Sequence, residues 1–496
     1  MNDSVQKLAD AERGAAAGDL AGAFSGLRAA VASGGDFGRD WGRVLTLADR
    51  IGDYNTAFRA ARSYAAVQPS AGLALKAAEM LAAMGRLDEA VSVAEPALQA
   101  RPDEPGGWLM MGMLAAQTGR FDEALSHFRR ALALKPDLTA AWEHIAALRR
   151  FGADDPDVEQ MRTLDRQLMP GSPLRGPLLF ALAKAWDDMG EPERAFAAAR
   201  EGAGLMGGRR FDAEAWTHRV DSLARDFDHG LIDRNAGGGA PLDRAVVVAG
   251  APRSGLTLVQ QLLCASEAVM GGGELDLFRL AAASSLGRSP AQLEILAGSA
   301  AHGGRGDIWT AWGWDYLGLV QERFGEYGRV VDRSRGLTEL LGVMRLCLPA
   351  SPVVLVERDP FDLAWSIFRT HAGAAEGWSA TLEDLAVWLH GQFRLQRHWA
   401  SQLASGVLRV PYEALAREPA AWTQRIYAHC GLITGSAGGE AAPGRVPDLG
   451  AIPHPVGTAA FAEVRQPIHE RSIGAWRRYE RQLEPFIAAW SRLENA

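Results

Sequence analysis

The hexapeptide Gly85-Arg-Leu-Asp-Glu-Ala90 returns 34 positions later as Gly119-Arg-Phe-Asp-Glu-Ala124, and Pro102 returns as Pro136. A fixed period of this length belongs to helix-turn-helix arrays, whose units bury their apolar faces only by stacking on one another. Weaker copies start at Gly18-Asp-Leu-Ala and at Gly52-Asp-Tyr-Asn, the latter closing at Pro69. Another stands at Gly190-Glu-Pro-Glu-Arg-Ala195 after an irregular connection. Residues 1–228 are therefore expected to form an alanine-rich helical array.

The best copy resembles a tetratricopeptide repeat, with Trp108, Leu109, Gly112, Gly119, Ala124, Phe128, Ala131 and Pro136 at the family's positions. Small residues such as Gly112 and Ala124 let paired helices approach, and Leu109 and Phe128 fill the seam. The resemblance implies a concave stacking surface of the kind that binds peptides. Two roles stay open at this point: recognition of a partner, or support of the neighbouring domain.

At 229–243, HGLIDRNAGGGAPLD, composition shifts to glycine and polar residues, which reads as a linker. Beyond it, residues 244–496 alternate short β-branched runs (Val246–Val248, Arg329–Val331, Val353–Val356 and Val407–Val410) with helical patterns. That order predicts a mostly parallel sheet with helices on both faces and ligands outside the carboxyl ends of its strands.

The sharpest local signal is Val246 to Leu263, VVVAGAPRSGLTLVQQLL: a buried strand, a glycine turn and a helix start. Such a turn brings backbone close to an anion and aims unpaired N–H groups at it. Arg253, Ser254 and Thr257 add side-chain donors. Against GxxxxGK[ST] the match runs from Gly250 through Gly255 to Thr257, with Leu256 in the lysine position, which disfavours a kinase or other triphosphatase. Alone, the stretch is equally a strand-to-helix turn with structural glycines. Glu274 follows Gly272-Gly273 and is either a general base or a solvated loop acid. Arg358 precedes a helix capped by Asp359 and opened by Pro360, and Ser366 lies two turns along it. The two converge on a second phosphate, or the arginine pairs with an aspartate.

Composition narrows the partners. A formal charge of −8 over 496 residues argues against a general nucleic-acid footprint while allowing a local basic pocket. Three cysteines, Cys264, Cys347 and Cys430, lack metal-ligand spacing and suit buried free thiols in a reducing compartment. The first residues carry no basic region followed by an apolar core, and no run approaches the roughly 18 apolar residues of a membrane span, so a cytoplasmic protein is expected.

Taken together, the stretches after 242 resemble the sulfotransferase family, nearest to bacterial tetratricopeptide-repeat sulfotransferases related to tyrosylprotein sulfotransferases. The resemblance implies a helical tetratricopeptide-repeat array followed by an α/β P-loop-like sulfotransferase domain. It implies 3′-phosphoadenosine 5′-phosphosulfate as donor, no metal, and a protein tyrosine, glycan or small-molecule hydroxyl as acceptor. By the family's PRSGTT, Pro252, Arg253, Ser254, Gly255, Leu256 and Thr257 would hold the 5′-phosphosulfate. By the same resemblance Arg358 and Ser366 would hold the 3′-phosphate, and Glu274 would be the base. Val410-Pro-Tyr412-Glu413, Val464-Arg465-Gln-Pro467 and Ser472-Ile-Gly-Ala-Trp476-Arg-Arg-Tyr479 match its later segments, the last two of which, with Arg465, would cover the nucleotide.

Three departures stand out: Leu256 for a threonine, Arg333 for the lysine of DKxP, and Ala460 for a serine before VRQP. Arginine delivers a fixed charge without lysine's point geometry. A second expectation from another class is therefore a repeat-based interaction protein whose nucleotide site has lost turnover.

Overall fold

The computed structural model describes residues 3–495 apart from 18, 35–36, 68–69, 84, 207–209, 236, 275, 287–305, 374–375, 404–405, 433–445 and 453–461. Ala460 lies outside the described residues, as do most of 286–305 and 434–450, two glycine-rich stretches of the sequence that are candidate acceptor-side loops.

From Asp3–Ala16 to Ala213–Asp226 the chain is helical, and helices pack in sequential pairs such as Pro105–Gln117 on Phe121–Leu134 and Arg175–Asp188 on Pro192–Met206. The sequence period is a period of backbone conformation. Gly52, Gly85, Gly119 and Gly190 all take positive φ, at 77°, 74°, 81° and 77°, where an L side chain would be strained. Within the best repeat a Cβ on Gly112 would lie 2.4 Å from the Phe128 ring, so that helix pair closes only on glycine. Phe128, Ala124 and Ala131 are fully buried, and Leu109 packs against the same cluster.

Residues 229–234 of the expected linker form a short helix whose first turn is capped by Asp228 Oδ1, accepting from Leu231 N at 2.7 Å. Ala240 N then donates to Cys347 O at 2.8 Å.

Five parallel strands follow: β1 (Ala245–Gly250), β2 (Val269–Gly273), β3 (Arg329–Asp332), β4 (Val353–Glu357) and β5 (Val407–Pro411), ordered β2-β3-β1-β4-β5. Four coincide with the valine-rich runs. β2 does not, because Val-Met-Gly-Gly-Gly carries little strand propensity; the stretch before Glu274 is a strand rather than the loop expected there. Its register against β3 shifts between Gly271 and Gly273, so Gly272 is an extra residue that bends the strand end and re-aims Glu274.

The strands alternate between two cores, as period 2 requires when both faces are covered. Val247 and Ala249 of β1 and Val353 and Leu355 of β4 join one cluster; Val246, Val248, Val354 and Val356 join the other. The first cluster runs without a break into the last repeats, through Phe180, Phe196, Trp216 and Phe227. Trp216 stacks on Trp388 with centroids 6.2 Å apart, and Phe196 on Phe368 at 5.4 Å. The first repeats touch the same domain from another side. Leu280 and Leu319 pack on their core, and Arg28 bridges Asp53 and Glu322 at 2.8 and 2.9 Å. Among the described residues no helix is long and apolar enough to cross a membrane.

Candidate functional site

All five parallel strands end on one side of the sheet, where Glu274 follows β2, Arg333 follows β3, the glycine turn follows β1, Arg358 follows β4 and Tyr412 follows β5. β1 lies where successive connections depart in opposite directions along the sheet, the usual position of a ligand crevice.

The turn after β1 is tightly enclosed. Gly255 has φ 109°, and a Cβ there would meet the Tyr412 ring at 2.8 Å; Arg253 itself has φ 69°. Holding a non-glycine residue in this region costs about 1–3 kcal/mol, a strain that clusters at ligand clamps. The helix Leu256–Cys264 starts here and directs its first-turn N–H groups and positive dipole end at the turn. Leu256 contributes apolar contact to the second core, and Pro252 belongs to the turn itself. Ser254 Oγ is buried with no hydrogen-bond partner among the described residues.

Arg253 Nε donates to Ser366 Oγ at 3.1 Å, and Arg358 Nη1 donates to Arg253 O at 2.8 Å. Arg358 Nη2 donates to Ser472 O at 2.9 Å, its guanidinium lies 4.6 Å from the Tyr412 ring centre, and its Nε is buried without a partner among the described residues. Arg253, Arg358 and Ser366 are thus brought together. Arg369 adds a third cation: desolvation first, then the charges of Arg369 and Arg358, hold Arg253 below the usual arginine value, against an opposing pull from Glu463. Glu463 Oε2 lies 3.6 Å from Arg253 Nη2. Burial pushes this carboxyl up, but Arg253, Arg369 and Arg358 outweigh it and hold the group below the ordinary carboxylate range.

A second polar cluster is built on Arg333, only 4% exposed. Its Nε donates to Gln260 Oε1 at 2.6 Å and its Nη1 to Glu274 Oε1 at 3.1 Å. Arg335 Nε reaches the other Glu274 oxygen at 3.3 Å. Desolvation lowers the pKa of Arg333 and the Glu274 charge offsets it. Next to it burial pushes the free Cys264 thiol up to about 12, which keeps it in the protonated, inert form of a buried structural cysteine. Thr257 and Gln260 stand one turn apart on the turn's helix, which links the two clusters through one helix face.

Arg465 behaves differently. Its Nη2 donates to Gln117 O of the repeat array at 3.0 Å and its Nη1 to Ile452 O at 3.1 Å. Gln260, Arg335, Arg369 and Glu463 were not singled out from sequence; Gln260 alone carried a local signal, its three-residue spacing from Thr257. Among the described residues no three His, Cys, Asp or Glu side chains converge as a metal site.

Residues 245–434 match the sulfotransferase family, and residues 75–139 and 109–155 match the tetratricopeptide repeat. The chain thus carries tetratricopeptide repeats followed by a sulfotransferase domain. An uncharacterized protein of Aquifex aeolicus is 24% identical over 356 residues, covering 68% of this chain and 44% of that relative, so the chain spans less than half of its length. Among solved structures, the sulfotransferase domain of the Synechococcus olefin synthase aligns at 17% identity over 49% of this chain and 97% of its own, with a TM-score of 0.29. The Mycobacterium tuberculosis sulfotransferase STF1 aligns at 16% identity over 61% and 90%, with a TM-score of 0.27.

Proposed function

We propose that the chain transfers a sulfuryl group from 3′-phosphoadenosine 5′-phosphosulfate to an acceptor hydroxyl on a protein tyrosine, a glycan or a small molecule. The observation that carries this reading is a pair of buried donors without a partner among the described residues, Ser254 Oγ in the lysine-free turn after β1 and Arg358 Nε after β4, with Arg253 between them. Unsatisfied buried polar groups are costly, about 1–3 kcal/mol each, and anionic oxygens at two loci would satisfy these. The kinship to tyrosylprotein sulfotransferases is part of the proposal.

The donor supplies the sulfuryl group and departs as adenosine 3′,5′-bisphosphate. Ser254, Gly255, Thr257 and the helix start hold the 5′ end; Arg253, expected there from the sequence, instead hydrogen-bonds Ser366 and in this reading joins Arg358 and Ser366 at the 3′-phosphate. Glu274 takes the acceptor proton as the new S–O bond forms opposite the breaking one. Arg333, fixed by Gln260, supplies positive charge to the sulfuryl oxygens.

A second reading, a repeat-based interaction protein with a weakened site, draws on Glu274: both of its oxygens are engaged by arginines, so an acceptor hydroxyl has to displace one.

Calorimetry with adenosine 3′,5′-bisphosphate and with magnesium ATP tests the donor. The bisphosphate is expected to bind and raise the melting temperature, and ATP to bind far more weakly; the reverse order would sink the assignment. Glu274→Gln should leave bisphosphate affinity near wild type while transfer of labelled sulfate falls by about 10²-fold or more. Absence of transfer by wild type across many acceptors, with the nucleotide still bound, favours the interaction protein.

A further inference from the structure

Helix Pro360–Thr370 carries three polar residues on one stripe, Asp362, Ser366 and Arg369, spaced four and three apart. Each reaches a different partner. Asp362, 3% exposed, accepts from Gly474 N at 2.7 Å and Trp476 N at 3.0 Å. Ser366 accepts from Arg253. Arg369 Nη1 donates to Asp187 Oδ2 at 3.1 Å, and Asp187 belongs to the repeat helix Arg175–Asp188.

Asp187 does more than hold Arg369. Its other oxygen accepts from Tyr479 Oη at 2.6 Å and lies 3.1 Å from Arg478 Nη2. Tyr479 is fully buried and stacks on Trp365 of the same helix with centroids 3.8 Å apart. The segment it anchors begins at Ser472, whose carbonyl accepts from Arg358 and whose hydroxyl lies 2.8 Å from Tyr412 Oη. One array carboxylate therefore stands at the root of two short chains of contact. The first runs through Arg369 and the helix to Ser366 and Arg253; the second runs through Tyr479 and the terminal segment to Arg358.

We propose that Asp187, contributed by the repeat array, is a positioning residue of the anion site: it holds Arg253 and Arg358 in place from outside the sulfotransferase domain, so that the array sets affinity for the bisphosphate end of the donor. The inference rests on the donor reading given above. Asp187, at 11% side-chain exposure with hydrogen-bonded partners on two elements, is a charge-assisted junction in a partly dry setting, where removal of the charge is felt by every group it orients. Coupling of this kind commonly amounts to about 5–150-fold in affinity.

Asp187→Asn keeps the shape and one acceptor but removes the charge. Calorimetry with adenosine 3′,5′-bisphosphate on the folded full chain is expected to show affinity lowered about tenfold. In turnover, donor KM should rise with kcat nearly unchanged. Tyr479→Phe removes one hydroxyl only and should shift affinity the same way by less. Because both act through one carboxylate, the double variant should lose less than the sum. A purely structural role would lower melting temperature and leave the affinity of folded protein alone; both variants binding like wild type overturns the proposal. Should Asp187→Asn fail to fold, Tyr479→Phe alone decides it. Wild type failing to bind the bisphosphate overturns the donor reading, and with it this one, which separates the two failures.

Discussion

Glu463 sits where the charges of Arg253, Arg358 and Arg369 meet, and its carboxylate is half exposed at 50%. An ion pair this open and 3.6 Å long is worth about 0.2–1 kcal/mol, little against two or more charge-assisted bonds to a phosphate at about 1.5–3 kcal/mol each. Under the proposed donor reading the carboxylate is a weak competitor that a dianion would displace. Glu463→Gln is expected to tighten bisphosphate binding by a few fold, up to about fivefold, by calorimetry; weaker binding would mean that Glu463 helps to hold the ligand. Its folded pKa is lowered, so the stabilisation it gives is complete above the ordinary carboxylate range and is lost as pH falls through the lowered value. Melting temperature against pH should accordingly lose part of its acid limb in the variant, and identical limbs would assign the acid sensitivity elsewhere.

At the scale of single elements, the helix bearing Ser366 shows why some of the site is readable from sequence and some is not. Asp359 Oδ1 accepts from Phe361 N at 2.9 Å and Asp362 N at 3.0 Å, and Pro360 occupies the first position, as the local pattern predicts. Asp359→Ala should cost about 0.5–2 kcal/mol in chemical denaturation and weaken bisphosphate binding, since the cap sets the pitch on which Ser366 is presented. A loss of stability with unaltered affinity would show that the stripe is held by its partners alone. The valine runs declared β1, β3, β4 and β5, and the glycine turn declared itself, because each rests on neighbours in sequence. β2 was hidden because glycines at Gly271, Gly272 and Gly273 have no propensity to read; a bulge, not composition, gives that strand its meaning. Asp187 and Arg369 meet across 182 positions of chain, Arg253 and Glu463 across 210, and Arg465 turns to Gln117 across 348, so only tertiary packing brings them together.

Over the whole molecule, the last repeats and the sulfotransferase domain share one apolar core. A chain starting near Ala240 would uncover Trp365, Phe368, Trp388 and Trp399, now buried against Phe196, Trp216 and Phe227. At about 1.5–3 kcal/mol for each large side chain returned to water, the loss rivals the roughly 5–15 kcal/mol by which a domain is stable at all. Such a chain is expected to sediment as aggregates or to lack a cooperative thermal transition, and to bind the bisphosphate poorly. A monomer melting cooperatively with wild-type affinity would show that the repeats are dispensable to fold and site alike. The shared core also decides what evolution can do with this protein. Tandem repeats usually diverge, duplicate and recombine freely, since each touches only its neighbours. Here the repeats nearest the sheet are barred from that freedom: an insertion or exchange that rotates Arg175–Asp188 would drag Asp187, Phe180 and, through Arg369, the helix bearing Ser366 with it.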